Sequence, residues 1–290
     1  MPELPEVETT VLDLKRKVLK RTFLDIWTDA PKLIKKPNLE EFKREIKGKK
    51  IQDIKRKGKF IIFYLSGDKR LLIHQKLTGH LLVGQWKKEN EEWVPVKKGP
   101  LEDPMNKFIH IIFFLDNGLM IAFSDLRKFG RIELLTKKEL ENLKDLKELG
   151  PDPLDKNFTF DRFKQIIQNQ KRKIKAVLMD QKLISGIGNI YSDEILFRAG
   201  VHPFKPANTL QKEEIRKIYR NIKSVLKKAI KLGGESISDY RRPDGRKGGF
   251  DKERKVYRRE GMPCYVCGTK IERGKINSRS TYFCPKCQKL

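Results

Sequence analysis

CYVCGTKIERGKINSRSTYFCPKC, residues 264–287, contains all four cysteines of the chain. They form two C-x-x-C pairs with 16 residues between them. Cysteines confined to one short stretch leave no disulfide framework for the rest of the chain, and their spacing is that of a zinc site. Thiolates from Cys264, Cys267, Cys284 and Cys287 would surround one Zn²⁺ as a closed tetrahedron with no open position, so the metal's role is structural. So short a segment buries little apolar surface, and the metal would supply its folding free energy. Between the pairs, KINSRSTYF reads as a β-hairpin with Arg279 at or near its tip. A turn arginine is either solvated or a phosphate contact.

Upstream of this segment the sequence reads as helical from about 136 to 232. TKKELENLKDLKEL reads as one helix, and LGPDPL (149–154) as a break. Phe160, Phe163, Ile166 and Ile167 mark a second helix, and Ile174, Val177 and Leu178 a third. SGIGN (185–189) is a glycine loop, followed by a helix from Ile190 to about Ala199. A long helix carries Ile215, Ile218, Ile222, Val225 and Ala229. In the glycine loop, Gly186 and Gly188 let backbone approach a ligand, and Asn189 can cap the next helix, whose free N–H groups suit phosphate. Gly-Asn caps are also common in plain helix bundles, but Lys171, Arg172, Lys173 and Lys175 lie nearby. RRPDGRKGG (241–249) reads as a mobile loop.

From about 22 to 135 short β-branched and aromatic runs dominate: KFIIFYL, RLLIHQKL, FIHIIFFL and GLMIAFSDL. SGD (66–68) and DNG (116–118) separate them as turns, which predicts an all-β sandwich or barrel. KRKGKF (55–60) is a charged turn that brings Lys59 to the start of an apolar strand. The four histidines, at 74, 80, 110 and 202, make no metal set by their spacing.

The chain opens MPELPEVETT, with Leu4, Val7, Val11, Leu14 and Val18 on one helical face. Pro5 suits the first turn, and Glu6 and Glu8 face the positive end of the helix dipole. This acidic start contrasts with the whole: 65 Lys and Arg against 38 Asp and Glu, net charge +27. Such a surplus points to a polyanion partner, nucleic acid before membrane. The longest apolar runs, FIIFYL (60–65) and IHIIFFL (109–115), are too short to span a bilayer. No signal peptide is evident, so a cytoplasmic protein is expected. Removal of Met1 before the small Pro2 would leave a secondary amine at the N-terminus. An α-amino group titrates near 7.7–8.0, so part of it is neutral at pH 7 and can attack an aldehyde-like carbon to form an iminium. Glu3 beside it could carry protons. A merely well-capped helix start explains the same residues without chemistry.

MPELPEVET (1–9), LGPDPL, SGIGNIYSDEILFRAGVHP (185–203), DGRKGGF (244–250) and the terminal cysteine pairs together resemble the formamidopyrimidine-DNA glycosylase family, bacterial repair enzymes for oxidised purines. The resemblance covers the chain from end to end. It implies an α+β multidomain protein: an N-terminal helix plus β-sandwich (1–135), a helical domain with a helix–two-turns–helix motif (136–235), a lesion-capping loop region (236–255) and a β-hairpin zinc finger (256–290). It implies excision of 8-oxoguanine and formamidopyrimidines, flipped out of duplex DNA, through an N-terminal proline Schiff base, then β,δ-elimination. Pro2 would be the nucleophile and Glu3 the general acid/base, with Glu6 in support. Lys59 would serve proton transfer and phosphate binding, and Arg279 δ-elimination. His74, Asn189 and Lys171 would contact DNA, while Arg127 and Phe129 fill the gap left by the flipped base. The third wedge residue of the family is usually methionine; here it is Leu77, of similar volume. Phe108 replaces the first of two histidines often found near 108–110, and His110 keeps the second, which puts one DNA contact in doubt. Lesion preference would rest on the 238–251 loop. One structural Zn²⁺, damaged duplex DNA as partner, no membrane, a monomer, and a nucleoid-associated cytoplasmic location complete the expectation. Two alternatives remain at this stage: the related endonuclease-VIII-like enzyme for oxidised pyrimidines, whose usual GPE opening is absent, and a non-catalytic zinc-finger nucleic-acid-binding or protein-contact module.

Overall fold

The apolar face read from the first residues is the inner face of α1 (Leu4–Val18): Val7, Val11, Leu14 and Val18 are buried in the main core. Each such side chain stabilises the fold by about 1.5–3 kcal/mol. A computed structural model describes residues 1–237 and 239–290; Ser238, inside the expected capping loop, lies outside the described residues. After α1 come β1 (Phe23–Thr28), β2 (Ile34–Lys36), α2 (Leu39–Ile46), β3 (Ile51–Lys57), β4 (Phe60–Leu65), β5 (Lys69–His74), β6 (His80–Gly84), β7 (Trp86–Glu89), β8 (Glu92–Pro95), β9 (Ile109–Leu115), β10 (Met120–Ser124) and β11 (Arg131–Thr136).

The strands form a sandwich: a four-stranded sheet in the order β1-β9-β10-β6 and a five-stranded sheet in the order β2-β11-β5-β4-β3. Alternation along β9 sends Ile111, Phe113 and Leu115 into the core between the sheets. Its other face, with Ile109 and Ile112, is buried too, against Leu82, Ala122 and Trp86. That second burial explains why IHIIFFL reads as a continuous apolar run rather than an alternating one. The turns fall where the sequence puts them, with Gly67 and Gly118 in the left-handed region between β4 and β5 and between β9 and β10.

TKKELENLKDLKEL is two short helices, α3 (Lys137–Asn142) and α4 (Lys144–Lys147), rather than one. Leu143 between them is extended, with ψ 116°. Leu140 and Leu146 are both buried. Six residues apart, they would lie on different faces of one continuous helix, and the break lets each reach the core. Thereafter come α5 (Phe160–Gln168), α6 (Ile174–Met179), α7 (Asn189–Ala199), α8 (Lys212–Lys231), β12 (Glu272–Ile276) and β13 (Arg279–Phe283).

The chain forms two units. One comprises Met1–Lys147 with Leu232–Asp251, the other Glu148–Lys231 with Lys252–Leu290. Residues 241–249, read as a mobile loop, are tied down within the first unit. Val83 N–H donates to Pro243 C=O at 2.7 Å, and Arg241 pairs with Asp103 at 2.9 Å. In the second unit, α6 and α7 pack together, and α7 packs on α8 and on β13 of the zinc hairpin.

Candidate active site

The helix start gathers the acidic residues around the N-terminus. Glu3 takes the N-cap position, and Glu3 and Glu6 are both buried. Glu6 accepts from Glu3 N–H through Oε2 and from Glu235 N–H through Oε1, each at 2.8 Å. Its carboxylate therefore joins the first turn of α1 to the 232–251 segment. Gly234, at φ +83°, leaves room for that contact, since a Cβ there would come within 2.9 Å of Glu6 Oε1. Further along the same face, the Thr10 hydroxyl donates to Glu6 C=O at 2.8 Å, Tyr240 O–H donates to the same carbonyl at 3.2 Å, and Arg242 pairs with Asp13 at 2.9 Å. Residues 6, 10 and 13 share one face of a helix. Sequence reading assigned Glu6 only a supporting role and missed that it is the first of this row; no periodicity reports polar contacts 229 residues apart.

The α-amino group of Met1 sits in this cluster. Burial lowers its pKa below the ordinary 8.0. Glu3, Glu6 and Asp239 pull the other way, and Lys59 adds to the lowering. Pro2, next in the chain, is buried. Lys59 follows Gly58, which turns at φ 57° between β3 and β4, and is itself buried at the start of β4. Pro2, Glu3, Glu6 and Lys59 thus share one environment.

His74 ends β5. Burial pushes its imidazole down to about 3, so it is neutral at physiological pH. Lys76 N–H donates to Nδ1 at 2.9 Å. With Nδ1 an acceptor, the ring proton belongs on Nε2, where it can donate to a phosphate oxygen. Phe60 packs edge-on against the ring at 4.7 Å.

Phe129 is 49% exposed, and the Arg127 guanidinium lies 4.6 Å from its ring centre. Leu77 is half-buried on the neighbouring loop. His110 is engaged by Asp29 at 2.9 Å, and the Phe108 ring carries the Lys107 ammonium at 5.4 Å.

In the second unit, Asn189 is the first residue of α7, and its buried Oδ1 finds no hydrogen-bond partner among the described residues. Gln181 shapes the glycine loop before it: Oε1 accepts from Gly186 N–H at 2.8 Å, and Nε2 donates to Ile187 C=O at 2.7 Å. Sequence reading did not find Gln181, because a lone amide carries no pattern. Lys171 is exposed. Its neighbour Arg172 pairs with Asp180 at 2.9 Å and, with Arg279, lines a cleft of about 230 Å³. Arg279 directly follows Asn277 and Ser278, both left-handed (φ 47° and 60°), the two-residue turn favoured in tight hairpins.

Beneath Arg279 lies a buried ion pair. Lys175 and Asp193 are both fully buried, 2.8 Å apart. Lys175 Nζ also donates to Ser280 C=O at 2.8 Å and to the Thr281 hydroxyl at 3.0 Å, while Asp193 accepts from Tyr282 N–H at 3.1 Å. Burial pushes the Asp193 carboxyl up to about 7, against the pull of Lys175. Buried Glu194 next door accepts from the N–H groups of Lys255, Val256 and Tyr257 at 3.0 Å, fixing the entry to the hairpin.

The four cysteine sulfurs all lie within 4.8 Å of one another. The separations are 3.4 Å for Cys267–Cys284 and Cys267–Cys287, and 3.9 Å for Cys264–Cys287. A tetrahedron with Zn–S of about 2.3 Å needs S···S of roughly 3.8 Å, so the donor set fits zinc. Hydrogen bonds from Thr269 pull the Cys267 thiol down while burial pushes Cys284 and Cys287 up, so a bound cation is what would hold the four as thiolates.

Comparison with known proteins follows the same division. Residues 1–132 match the formamidopyrimidine-DNA glycosylase N-terminal domain, 149–241 its H2TH domain, and 261–290 the zinc finger found in FPG and IleRS. The formamidopyrimidine-DNA glycosylase of Pelotomaculum thermopropionicum is 40% identical over 294 residues and is covered in full, as is this chain. That of Bacillus cereus is 38% identical over 289 residues, 99% of each chain. Among solved structures, the complex of Lactococcus lactis Fpg with abasic-site DNA superposes with a TM-score of 0.86 at 33% identity, covering 99% of this chain and 100% of that one. MutM (Fpg) of Thermus thermophilus gives 0.82 at 37% identity, covering 99% and 98%. A MutM complex with DNA containing carbocyclic 8-oxo-G gives 0.85 at 34% identity, covering 100% of both chains. A sandwich whose N-terminus lies beside buried Glu3, Glu6 and Lys59, followed by a helix–two-turns–helix and a four-cysteine hairpin, defines the class of DNA glycosylases with a C-terminal zinc finger. Within it, the chain belongs to the formamidopyrimidine-DNA glycosylase family.

Proposed function

We propose that this protein is a base-excision DNA glycosylase and abasic-site lyase that removes oxidised purines from duplex DNA, with the Pro2 amine as its nucleophile. The observation that carries this reading is the α-amino group beside Glu3, Glu6 and Lys59, whose burial lowers its pKa below 8.0. Removal of Met1 moves that amine onto buried Pro2. Burial of Pro2 disfavours the charged form of its amine, and the neutral form is the one that attacks carbon. Its lone pair bonds to the sugar's anomeric carbon, and the N-glycosidic electron pair leaves with the oxidised base. The attacking nitrogen gives up its proton to the departing base, Glu3 gives a proton to the ring oxygen, and breaking of the C1′–O4′ bond as the sugar opens leaves an iminium. The iminium then draws electrons from the neighbouring C–H bonds, so that the 3′ and then the 5′ phosphate leave. Lys59 and Arg279 hold the phosphates that depart, with Arg279 assigned to the second elimination.

DNA is held by neutral His74 through Nε2–H, by Asn189 at the start of α7, and by Lys171. Leu77, Arg127 and Phe129 fill the space of the extruded base. Cys264, Cys267, Cys284 and Cys287 would hold one Zn²⁺, which supplies the folding energy of the hairpin carrying Arg279. No helix among the described residues is long and apolar enough to cross a membrane. The working place we propose is the cytoplasm, on chromosomal DNA, as a monomer.

Product analysis tests the reading. A duplex with 8-oxoguanine opposite cytosine should be cut to a one-nucleotide gap with phosphate at both ends, faster than a duplex carrying an oxidised pyrimidine. Preference for the pyrimidine, or no cleavage of either, would contradict it.

A further inference from the structure

Leu77 and Phe129 sit on separate loops, yet the structure fuses the two. Each loop turns at a lysine in the left-handed region immediately before the projecting residue: Lys76 at φ 55° and Lys128 at φ 52°. Non-glycine residues persist there only where their surroundings hold them. Phe123 fills the space between the loops. A Cβ on Gly79 would lie 2.6 Å from its ring, and one on Gly130 would lie 2.5 Å away.

The polar half of the junction is a buried pair. The Thr78 hydroxyl, from the Leu77 loop, donates to Asp125 Oδ1, and accepts from Arg127 N–H at 3.1 Å. Fully buried Asp125 accepts from Gly130 N–H at 2.8 Å through Oδ2, and its own carbonyl accepts from Lys128 N–H at 3.1 Å. One carboxylate therefore spans the loop that carries Arg127 and Phe129, and one hydroxyl ties that loop to Leu77. Charge-assisted bonds in a dry site are strong, and a buried carboxylate is retained only where it is fully bonded.

We propose that Thr78 and Asp125 are positioning residues that hold Leu77, Arg127 and Phe129 as a single wedge, so that all three enter the base stack together. This rests on the wedge reading under the proposed function. Insertion matters where a stacked base must be expelled and matters little at a site whose base is already missing. The test compares single-turnover cleavage of an 8-oxoguanine duplex with cleavage of a preformed abasic duplex. Thr78→Val should slow the first by about tenfold, the scale of one charge-assisted hydrogen bond, and leave the second within about twofold. Thr78→Ser should restore the rate. Phe129→Ala serves as the control and should show the same selective loss. Equal slowing on both duplexes, or no slowing, while Phe129→Ala remains selective, overturns the proposal and leaves the wedge. If Phe129→Ala is not selective, the wedge reading and the proposal fall together. Should Thr78→Val not fold, as judged by its thermal melt without DNA, Asp125→Asn carries the same comparison.

Discussion

The sandwich and the zinc hairpin achieve order by opposite means. Among the described residues, 27 buried hydrophobic side chains form the main core of the sandwich, whereas the cluster at the hairpin has six, two of them cysteines. Where apolar burial is plentiful, polar contacts are free to shape the active site, as Glu6 does. Where it is scarce, the fold depends on four thiols and on charges such as Lys175, Asp193 and Glu194, whose removal leaves partners stranded in a dry interior. The two regions should therefore respond differently to the same kinds of damage.

The largest difference should come from metal removal. A structural zinc site supplies about 10–16 kcal/mol in isolated fingers, as much as the whole apolar burial of the six-residue cluster, two of whose members are themselves ligands. Chelation should bring amide hydrogen exchange in residues 255–290 to the rate of unfolded chain, while residues of β3, β4 and β5 stay protected. Uniform loss across both regions would break the comparison.

Breaking the buried pair should come next. Lys175→Met leaves Asp193 without its cation, at a cost of about 3–5 kcal/mol in urea denaturation. Much of that should return in the double variant Lys175→Met with Asp193→Leu, which removes both charges. The loss in Lys175→Met should be smaller at pH 5 than at pH 8, because the Asp193 carboxyl, which burial already pushes up to about 7, then takes a proton.

The smallest effect belongs to the sandwich. His74 is held down to about 3 when folded, against an ordinary 6.5. Its contribution is complete above pH 6.5 and is lost as pH falls from 6.5 toward 3, because only the unfolded chain binds the proton there. The loss should reach about 2 kcal/mol by pH 5. The difference between wild type and His74→Gln in denaturation at pH 7.5 and pH 5 isolates it.

The same contrast explains what could be read in the sequence. The face of α1, the strand runs, the DNG turn and the cysteine spacing each repeat at a period set by backbone geometry, so residues near one another in the chain disclose them. Gly58 and the Asn277–Ser278 turn are similarly local. The network around Glu6, the Lys175–Asp193 pair, Gln181 under the glycine loop and the Thr78–Asp125 lock join residues with no periodic relation. Each is a lone polar side chain until the fold brings its partner. The break at Leu143 was hidden for a related reason: a charged, leucine-bearing segment reads as one helix unless the directions of its two core contacts are known. The family resemblance reached Pro2, Glu3, Lys59 and Arg279 because it carries positions directly, and it said nothing of what holds them in place.

The central claim is that the N-terminal amine is the nucleophile, and trapping tests it most directly. The protein, processed to begin at Pro2, is incubated with an 8-oxoguanine duplex and sodium borohydride, and the product is digested and weighed by mass spectrometry. The account predicts a reduced, stable crosslink whose mass lies on the N-terminal peptide at Pro2 and which disappears when an extra residue blocks the amine. A crosslink on an internal lysine such as Lys59, or no crosslink on lesion and abasic duplexes alike, would contradict it.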